Sequence, residues 1–519
     1  MIVAATFRDY GITWDEEAQR AYGSRLLRWI ATLGRDDAAG RVGNLVYYGG
    51  LFEIPAELAA RLTPQSPYET RHLVNALVGL GTFWVAQRIG GLLGGPLAAL
   101  LSAAALALTP VFYGHMFNNP KDVPFAALSS LAVWAMLAAW DALPRLDWRR
   151  VALVGGAIGA ALAVRVAGLA LLGDLALLLG GWLVVHRRES GLAAHLRSLA
   201  GSFLKVTAVA WVIMVASWPW ALRSPLKRPL DAAIALARLT DSAPMLFNGR
   251  IVYSGDLPRA YVPVWFAVSL PEHYLIALGA GVLALAASRR LRAADPGRAA
   301  DAVKMAWLIS VAALPAILAV VLRPFLYDGI RHLLFVLPPL ATLAGISAAR
   351  FFHSSLSRWV KLPVAMLLAL SAAATARDMV RLHPYESIYF NRLVGGGVAA
   401  ASRKFETDYW GNSYKEGAQW LVDNYNYGSA EPVRVASTYV PLQCTYYLYK
   451  TPLGRARFVY VSLDESPHVV LSTTRKGIHE RFRGRILHVV QREGAVLLVV
   501  IETRRPGPEA PGDRAKRMG

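Results

Sequence analysis

Long apolar blocks alternate with short polar segments through the first 377 residues of the chain. The run 96–110 (PLAALLSAAALALTP) has no polar face, and a helix that is apolar all round lies in lipid or in a large core. Because such runs recur along one chain, the pattern predicts a polytopic membrane protein with about ten spanning helices. They are 73–88, 96–112, 124–140, 151–164, 167–185, 203–220, 274–288, 305–322, 333–349 and 362–376.

After residue 377, short alternating segments replace the long apolar blocks. Residues 415–424 (KEGAQWLVDN) have the spacing of an amphipathic helix. Five segments with strand character follow, and the last two are joined by Arg492, Glu493 and Gly494 in a predicted hairpin turn. The predicted strands are 433–438, 457–462, 468–472, 485–491 and 495–502. The pattern therefore predicts a mainly α membrane protein with a small C-terminal α/β domain at 378–503, and composition predicts a disordered tail at 504–519.

Basic residues concentrate in every second loop of the predicted bundle, which spans residues 73–377. These basic clusters lie at 145–150, 187–197, 289–298 and 350–361. The positive-inside rule places them in the cytoplasm, so loop 1–72 and the C-terminal domain are predicted on the extracytoplasmic side of a bacterial inner membrane. Since few residues precede Asp9, this topology predicts either a first helix ahead of Met1 or an amino terminus that crosses the membrane unaided, and the first alternative is favoured.

The net charge of +20 raises the question of nucleic-acid binding. Lys and Arg sit mostly at the ends of apolar runs, without aromatic-basic or zinc-finger motifs, which suits a membrane with an anionic leaflet. We therefore expect membrane lipids, and no nucleic acid, as partners. The single cysteine, Cys444, excludes an intrachain disulfide and a cysteine-based metal cluster.

Two acidic motifs fall in predicted outer loops. The first contains Asp15 and Glu16, just before an amphipathic stretch typical of an interfacial helix. Asp15 suits an N-cap, but it equally suits a general base that accepts a proton from an acceptor hydroxyl or amine. The second contains Asn119, Lys121 and Asp122 before Pro124. A helix cap accounts for Asp122 but leaves Asn119 and Lys121 unexplained.

Cationic side chains that suit a phosphate leaving group stand elsewhere in the chain. Arg331 and His332 lie at the predicted outer start of the helix 333–349, and a guanidinium binds phosphate through two parallel hydrogen bonds. Arg165 interrupts an apolar stretch, and an intramembrane arginine usually faces a cavity or a partner. Neutralisation of Arg165 by Asp174 across a broken helix is an equally good interpretation.

Tyr47, Tyr48 and Glu53 lie in the same predicted outer loop as Asp15. Aromatic residues near a membrane surface usually form an interfacial belt. The alternative is that the two tyrosines stack on sugar rings and that Glu53 contributes to an acceptor or metal site.

Three motifs follow one another in a characteristic order: TWDEEAQ from Thr13, FNNPKDVPF from Phe117 and GIRHLLFVLPP from Gly329. Together they resemble the GT-C superfamily of integral membrane glycosyltransferases. The likeness is greatest to the bacterial branch related to protein O-mannosyltransferases and to the aminoarabinose transferases of lipid A, and it covers residues 9–349. Gly49 and Gly50 stand where close relatives have Lys or His followed by two prolines.

The resemblance implies a role for each candidate residue. Asp15 takes the place of the catalytic base with Glu16 beside it, and Asp122 matches the second acidic position. The predicted ligands of the carrier phosphate are Arg331, His332, Arg165 and Lys121. The predicted acceptor or sugar contacts are Tyr47, Tyr48, Glu53 and Asn119.

The resemblance also implies a donor, a polyprenyl-phosphate-linked sugar, and inverting transfer to an unidentified lipid, glycan or protein acceptor of the cell envelope. No protein metal site and no obligatory cofactor are predicted, and a divalent cation is optional because metal use varies across the superfamily. Two other hypotheses remain open from the residues: a transporter or flippase of lipid-linked or small polar substrates, and a non-catalytic assembly factor.

Overall fold

The computed structural model describes residues 1–188, 190–238, 242–287, 296–425 and 431–503. The predicted tail at 504–519 lies outside the described residues. The described chain is mainly helical and carries a small sheet near its C-terminal end, which confirms the predicted fold class.

Contacts divide the chain into two compact units. The membrane unit comprises Met1–Arg8, Glu16–Met245 and Ile251–Gly397, and the C-terminal unit comprises Asp9–Asp15, Leu246–Arg250 and the chain from Val398. The first acidic motif is therefore divided between Asp15 and Glu16. The boundary falls at Gly397 rather than at residue 377, because the segment Glu386–Ile388 still packs on the membrane unit. The contact is close: a Cβ atom on Gly114, in the helix 110–118, would lie 2.3 Å from the backbone nitrogen of Ser387.

Sixteen helices, α1 to α16, are assigned to the membrane unit among the described residues. They are Ile2–Thr6 (α1), Glu16–Ala31 (α2), Glu53–Leu62 (α3), Pro67–Ala107 (α4), Pro110–Asn118 (α5), Asp122–Ala138 (α6), Trp148–Leu162 (α7), Ala170–His186 (α8), Leu192–Ala216 (α9), Pro219–Leu222 (α10), Arg228–Ala237 (α11), Tyr261–Ser269 (α12), Glu272–Ala287 (α13), Pro296–Leu322 (α14), Leu337–His353 (α15) and Arg358–Leu382 (α16). Short 3₁₀ segments include Gly43–Tyr47, Val166–Leu169 and Arg331–Val336.

Within the described ranges, six helices are long and apolar enough to cross a membrane, and the count rises to eight if two bent pairs each form one span. The bent pairs are α5 with α6, at 114°, and α12 with α13, at 98°. The chain is thus an integral membrane protein, and the ten spans expected from the sequence stay a prediction. The predicted spans 73–88 and 96–112 lie on either side of Gly95, where φ is +79° and α4 breaks. The two parts of α4 pack against each other, since a Cβ atom on Gly90 would lie 2.8 Å from the Ala98 carbonyl oxygen. At 15 residues, α7 is shorter than the ~20 residues of a perpendicular span.

Small residues allow close helix contacts in the membrane unit. A Cβ atom on Gly345 of α15 would lie 2.4 Å from the backbone nitrogen of Ser102 in α4, and the Ser102 hydroxyl donates to the Ala98 carbonyl at 2.7 Å. Gly159 of α7 similarly faces the Ala210 carbonyl of α9 at 2.6 Å from a built Cβ. Close backbone approach through small residues is the usual way that helices pack in lipid.

Strands β1 (Pro244–Phe247) and β2 (Arg250–Tyr253) form a two-stranded sheet that the sequence pattern did not predict. The C-terminal unit contains a five-stranded sheet of order β4-β3-β5-β7-β6, and four helices. Its strands are Val433–Ser437 (β3), Phe458–Tyr460 (β4), Val469–Thr473 (β5), Arg485–Arg492 (β6) and Ala495–Glu502 (β7). Its helices are Gly397–Ala401 (α17), Tyr414–Asn424 (α18), Pro441–Leu448 (α19) and Pro452–Arg457 (α20).

The pairing in this sheet follows from the connections. Helices separate β3 from β4 along the chain, and β3 pairs in parallel with both β4 and β5. Strand β7 pairs antiparallel with both β5 and β6. The predicted hairpin between β6 and β7 is confirmed, with φ of +46° at Glu493 and +82° at Gly494. Positive φ at both central residues is typical of a tight two-residue hairpin turn.

Candidate functional site

Asp122, the first residue of α6, is 3% exposed and lies among polar partners of the membrane unit. Its carboxylate accepts a hydrogen bond from Arg165 and one of 2.9 Å from Asn119 Nδ2. The Nη1 atom of Arg331 lies 3.8 Å from Asp122 Oδ2. The structure thus brings four predicted site residues together. The cap interpretation does not describe this carboxylate, since its oxygens face guanidinium groups.

Arg165 lies in the break between α7 and the 3₁₀ segment Val166–Leu169, where the chain leaves helical geometry at φ −142°. Its ion-pair partner is Asp122 rather than Asp174, the partner that the sequence left open. Asp174 instead lines an apolar cavity of about 700 Å³ between membrane helices.

Arg331 follows a tight turn in which Asp328 has φ of +57° and Gly329 has φ of +73°. The hydroxyl of Tyr261 holds this turn by accepting a 3.2 Å hydrogen bond from the Gly329 amide. The guanidinium of Arg331 lies 4.2 Å from the centre of the Tyr327 ring and 3.8 Å from Asp328 Oδ2. A cation over an aromatic face, with a carboxylate on either side, has a fixed orientation.

Tyr48 joins Lys121 to this cluster. The Lys121 ammonium lies 4.9 Å, and the Arg165 guanidinium 5.9 Å, from the centre of the Tyr48 ring. Gly49 explains how Tyr48 comes so close, because a Cβ atom on Gly49 would lie 2.0 Å from the carbonyl oxygen of Ala163. The glycine that departs from the pattern of close relatives therefore permits backbone contact beside the break that carries Arg165.

Tyr47 and Tyr48 face different surroundings. Tyr47 packs edge-on against Trp220, with ring centres 5.4 Å apart, in agreement with a purely structural role. The backbone carbonyl of Tyr48 accepts a 2.9 Å hydrogen bond from the Tyr22 hydroxyl. Burial, and then the nearby carboxylate of Glu53, raise the pKa of Tyr22, so this hydroxyl stays protonated and serves as a donor.

A cavity of about 370 Å³ adjoins the cluster. Tyr48, Arg165, Tyr327 and His332 line its polar side. Its lining shares Ala167 with the larger apolar cavity that contains Asp174. The arrangement combines a cationic pocket with an adjoining apolar volume, which suits a ligand with an anionic head and an apolar tail.

Glu16 and Glu53 have partners on α4. Glu53 also lines a small pocket with Tyr48 and Lys121. Glu16, at the start of α2, is 1% exposed and lies 2.8 Å from His72 Nε2. Glu53, at the start of α3, forms a buried ion pair with Arg71. These two contacts join α2 and α3 to α4.

Asp15 belongs to the C-terminal unit and is partly exposed. Seven members of the predicted site lie together in the membrane unit: Asp122, Asn119, Lys121, Arg165, Arg331, His332 and Tyr48. Sequence reasoning missed Tyr327 and Asp328, although the Asp-Gly pair was a turn signal. Among the described residues, no group of three or more His, Cys, Asp or Glu side chains is placed to hold a metal ion.

Comparison with known proteins adds a family match. Residues 57–220 match the family model described as dolichyl-phosphate-mannose-protein mannosyltransferase. This segment contains α4 to α9 and, with them, Lys121, Asp122 and Arg165. No match was found among curated protein sequences.

Similar solved structures include ArnT from Cupriavidus metallidurans, in the apo state and bound to undecaprenyl phosphate, at 15% identity over 96% of each chain and a TM-score of 0.48. The oligosaccharyltransferase of Archaeoglobus fulgidus matches at 12% identity over 81% of this chain and 56% of that chain, with a TM-score of 0.44. The arabinofuranosyltransferase AftD from Mycobacteria matches at 13% identity over 90% and 36%, with a TM-score of 0.38.

The family match agrees with the resemblance and contains the second of the three motifs, FNNPKDVPF. It extends over part of the chain and includes the second acidic motif and the helix break, where the buried cluster lies.

Proposed function

We propose that this membrane glycosyltransferase, a relative of the protein O-mannosyltransferases in the GT-C superfamily, takes its sugar from a polyprenyl monophosphate carrier. Transfer of a lipid-linked sugar is the general activity of the matched family. The observation that carries the finer proposal is the meeting of Arg165, Arg331 and Lys121 around Asp122, beside a large apolar cavity.

In this proposal the carrier phosphate binds the guanidinium groups of Arg165 and Arg331. A phosphate leaves as an anion, so cationic partners, rather than a general acid, stabilise its departure. Asp122 holds both arginines in place, because its carboxylate accepts a hydrogen bond from Arg165 and forms an ion pair with Arg331. The adjoining apolar cavity accepts isoprenoid units of the carrier.

Asp15 is the proposed base, on the strength of its motif. It accepts the proton of an acceptor hydroxyl or amine as that atom attacks the anomeric carbon, and the bond from that carbon to the phosphate oxygen breaks. A single displacement inverts the anomeric centre.

The protein is proposed to lie in a bacterial inner membrane, with the C-terminal domain and the acidic loop on the extracytoplasmic side.

Reconstituted vesicles test this function against the transporter hypothesis. Purified protein is supplied with a polyprenyl-phosphate sugar and a cell-envelope extract as acceptor source, and mass spectrometry follows the carrier. Release of sugar-free carrier phosphate, with a mass increase on an acceptor, is the expected result. Movement of intact carrier between leaflets without bond cleavage would instead identify a flippase.

A further inference from the structure

The segment Asp9–Asp15, which ends in the proposed base, is built into the C-terminal unit. Tyr10, Ile12 and Thr13 are each only 1% exposed, although Asp15 itself stays partly exposed. Most of this segment is therefore packed inside the unit, and its last residue reaches the surface. The rest of this unit lies almost four hundred residues later in the chain, apart from Leu246–Arg250.

Helix α19 anchors the backbone of this loop at Ile12. The Ile12 amide donates a 3.0 Å hydrogen bond to the Tyr447 hydroxyl, and the Ile12 carbonyl accepts one of 2.8 Å from Gln443 Nε2. Residues four apart lie on the same helix face, so Gln443 and Tyr447 reach the same residue. Buried backbone groups require partners, and two side chains supply both partners here.

Packing fixes the loop on either side of Ile12. A Cβ atom on Gly11 would lie 2.2 Å from the Asn412 carbonyl oxygen, so only glycine fits this approach. The Trp14 ring lies 4.8 Å from the guanidinium carbon of Arg475 and 5.6 Å from the Tyr439 ring centre. Arg475 is itself fixed, because it is 7% exposed and donates to the Tyr409 carbonyl at 2.8 Å.

We propose that the C-terminal domain positions the acidic loop, with Tyr447, Gln443 and Arg475 as positioning residues for Asp15. This inference rests on the proposed function, since it assumes that Asp15 is the base. It gives the domain a role in the chemical step: α19 holds Ile12 and Arg475 contacts Trp14, the residue next to Asp15. A base displaced by about 1 Å loses much of its effect.

The test compares two matched variants of the full-length protein. Tyr447→Phe removes the hydroxyl that accepts from the Ile12 amide. Tyr449→Phe is the control, because the Tyr449 hydroxyl accepts a 2.6 Å hydrogen bond from the Tyr460 amide of the same domain instead of from the loop. Gln443→Met is a second variant that removes the bond to the Ile12 carbonyl at similar side-chain volume.

Hydrogen exchange of the peptide covering residues 9–17 reports anchoring independently of activity. We expect faster exchange at Ile12 in Tyr447→Phe, no change in Tyr449→Phe, and similar melting temperatures for both. We also expect kcat for sugar transfer to fall about tenfold or more in Tyr447→Phe and Gln443→Met, with KM for the carrier unchanged.

Three results would overturn the inference. Equal exchange in the two tyrosine variants would mean that the hydroxyl does not anchor the loop. Faster exchange with unchanged kcat would mean that the anchor does not serve catalysis. Faster exchange in Tyr447→Phe, together with a wild-type protein that transfers no sugar from any carrier, would mean that the anchor exists but the proposed function is wrong. The anchor would then have no catalytic role.

Discussion

Asp122→Asn removes one negative charge from between two guanidinium groups without changing the side-chain volume much. At the 3.8 Å that separates Arg331 Nη1 from Asp122 Oδ2, two unit charges interact by roughly 4 kcal/mol at an effective dielectric constant of 20. Arg331 keeps Asp328 at the same distance, which limits its loss. Arg165 loses the carboxylate it pairs with, and breaking a buried ion pair by removing one partner costs about 3–5 kcal/mol.

We therefore expect the ligand-free Asp122→Asn variant to be destabilised by about 3–5 kcal/mol. An anionic ligand should reverse much of this loss, because a lipid phosphate then interacts with Arg165 and Arg331 without competition from a carboxylate. Undecaprenyl phosphate should raise the melting temperature of the variant more than that of the wild type, while transfer activity falls because the arginines are no longer held in place.

The assay is thermal unfolding of purified protein in detergent, with and without undecaprenyl phosphate. Asp256→Asn is the matched control, since Asp256 is 85% exposed and pairs with Arg323 at the surface. An exposed pair contributes about 0–1 kcal/mol, so this control should unfold near the wild-type temperature. The reasoning is refuted if Asp122→Asn is as stable as the control, or if the carrier phosphate stabilises all three proteins equally.

Three further predictions concern the binding cluster and the proposed base. Arg331→Lys keeps the charge but loses the planar fork, and carrier affinity measured by binding of labelled undecaprenyl phosphate should fall about tenfold; unchanged affinity would remove Arg331 from the site. Gly49→Ala places a methyl group against the Ala163 carbonyl and should destabilise the protein by about 1–3 kcal/mol, which thermal unfolding measures; a neutral effect would contradict the close approach. Asp15→Glu keeps a carboxylate in a longer side chain, and its kcat should fall about a hundredfold without a change in carrier KM; wild-type kcat would mean that the position of the base is not critical.

Local patterns predicted the C-terminal sheet well. The segments 485–491 and 495–502 alternate in strand fashion around Glu493-Gly494, and the structure has strands Arg485–Arg492 and Ala495–Glu502 there. Such hairpins depend on residues close in sequence, so the pattern carries nearly all the information. The break at Gly95 in α4 falls between the predicted segments 73–88 and 96–112.

The ion-pair partner of Arg165 could not be predicted from the sequence. An arginine inside an apolar stretch needs a partner, so the sequence identified Arg165 as a residue of interest. It left two alternatives for that partner: Asp174, or a residue or cavity that the sequence did not specify. The choice of Asp122 depends on how the break after α7 meets the bend before α6, and no spacing rule specifies a contact between elements that are 43 residues apart. The residue types had named Asp122 and Arg331 as separate candidates, and the family resemblance gave each of them a role.

The division of the first acidic motif was also outside the reach of local patterns. Tyr10 and Ile12 look like ordinary loop residues, but they are buried in a domain whose sheet begins at residue 433. Their burial depends on long-range packing with Tyr447 and Gln443, which the sequence of the loop does not encode.

The central claim is that Asp15 supplies the base while the cationic cluster of the membrane unit holds the carrier. The most direct measurement is single-turnover transfer from a polyprenyl-phosphate sugar by wild type and Asp15→Asn, with carrier binding measured on the same samples. The account predicts that the variant binds the carrier as tightly as the wild type and releases no sugar-free carrier phosphate. Full turnover by Asp15→Asn would contradict it.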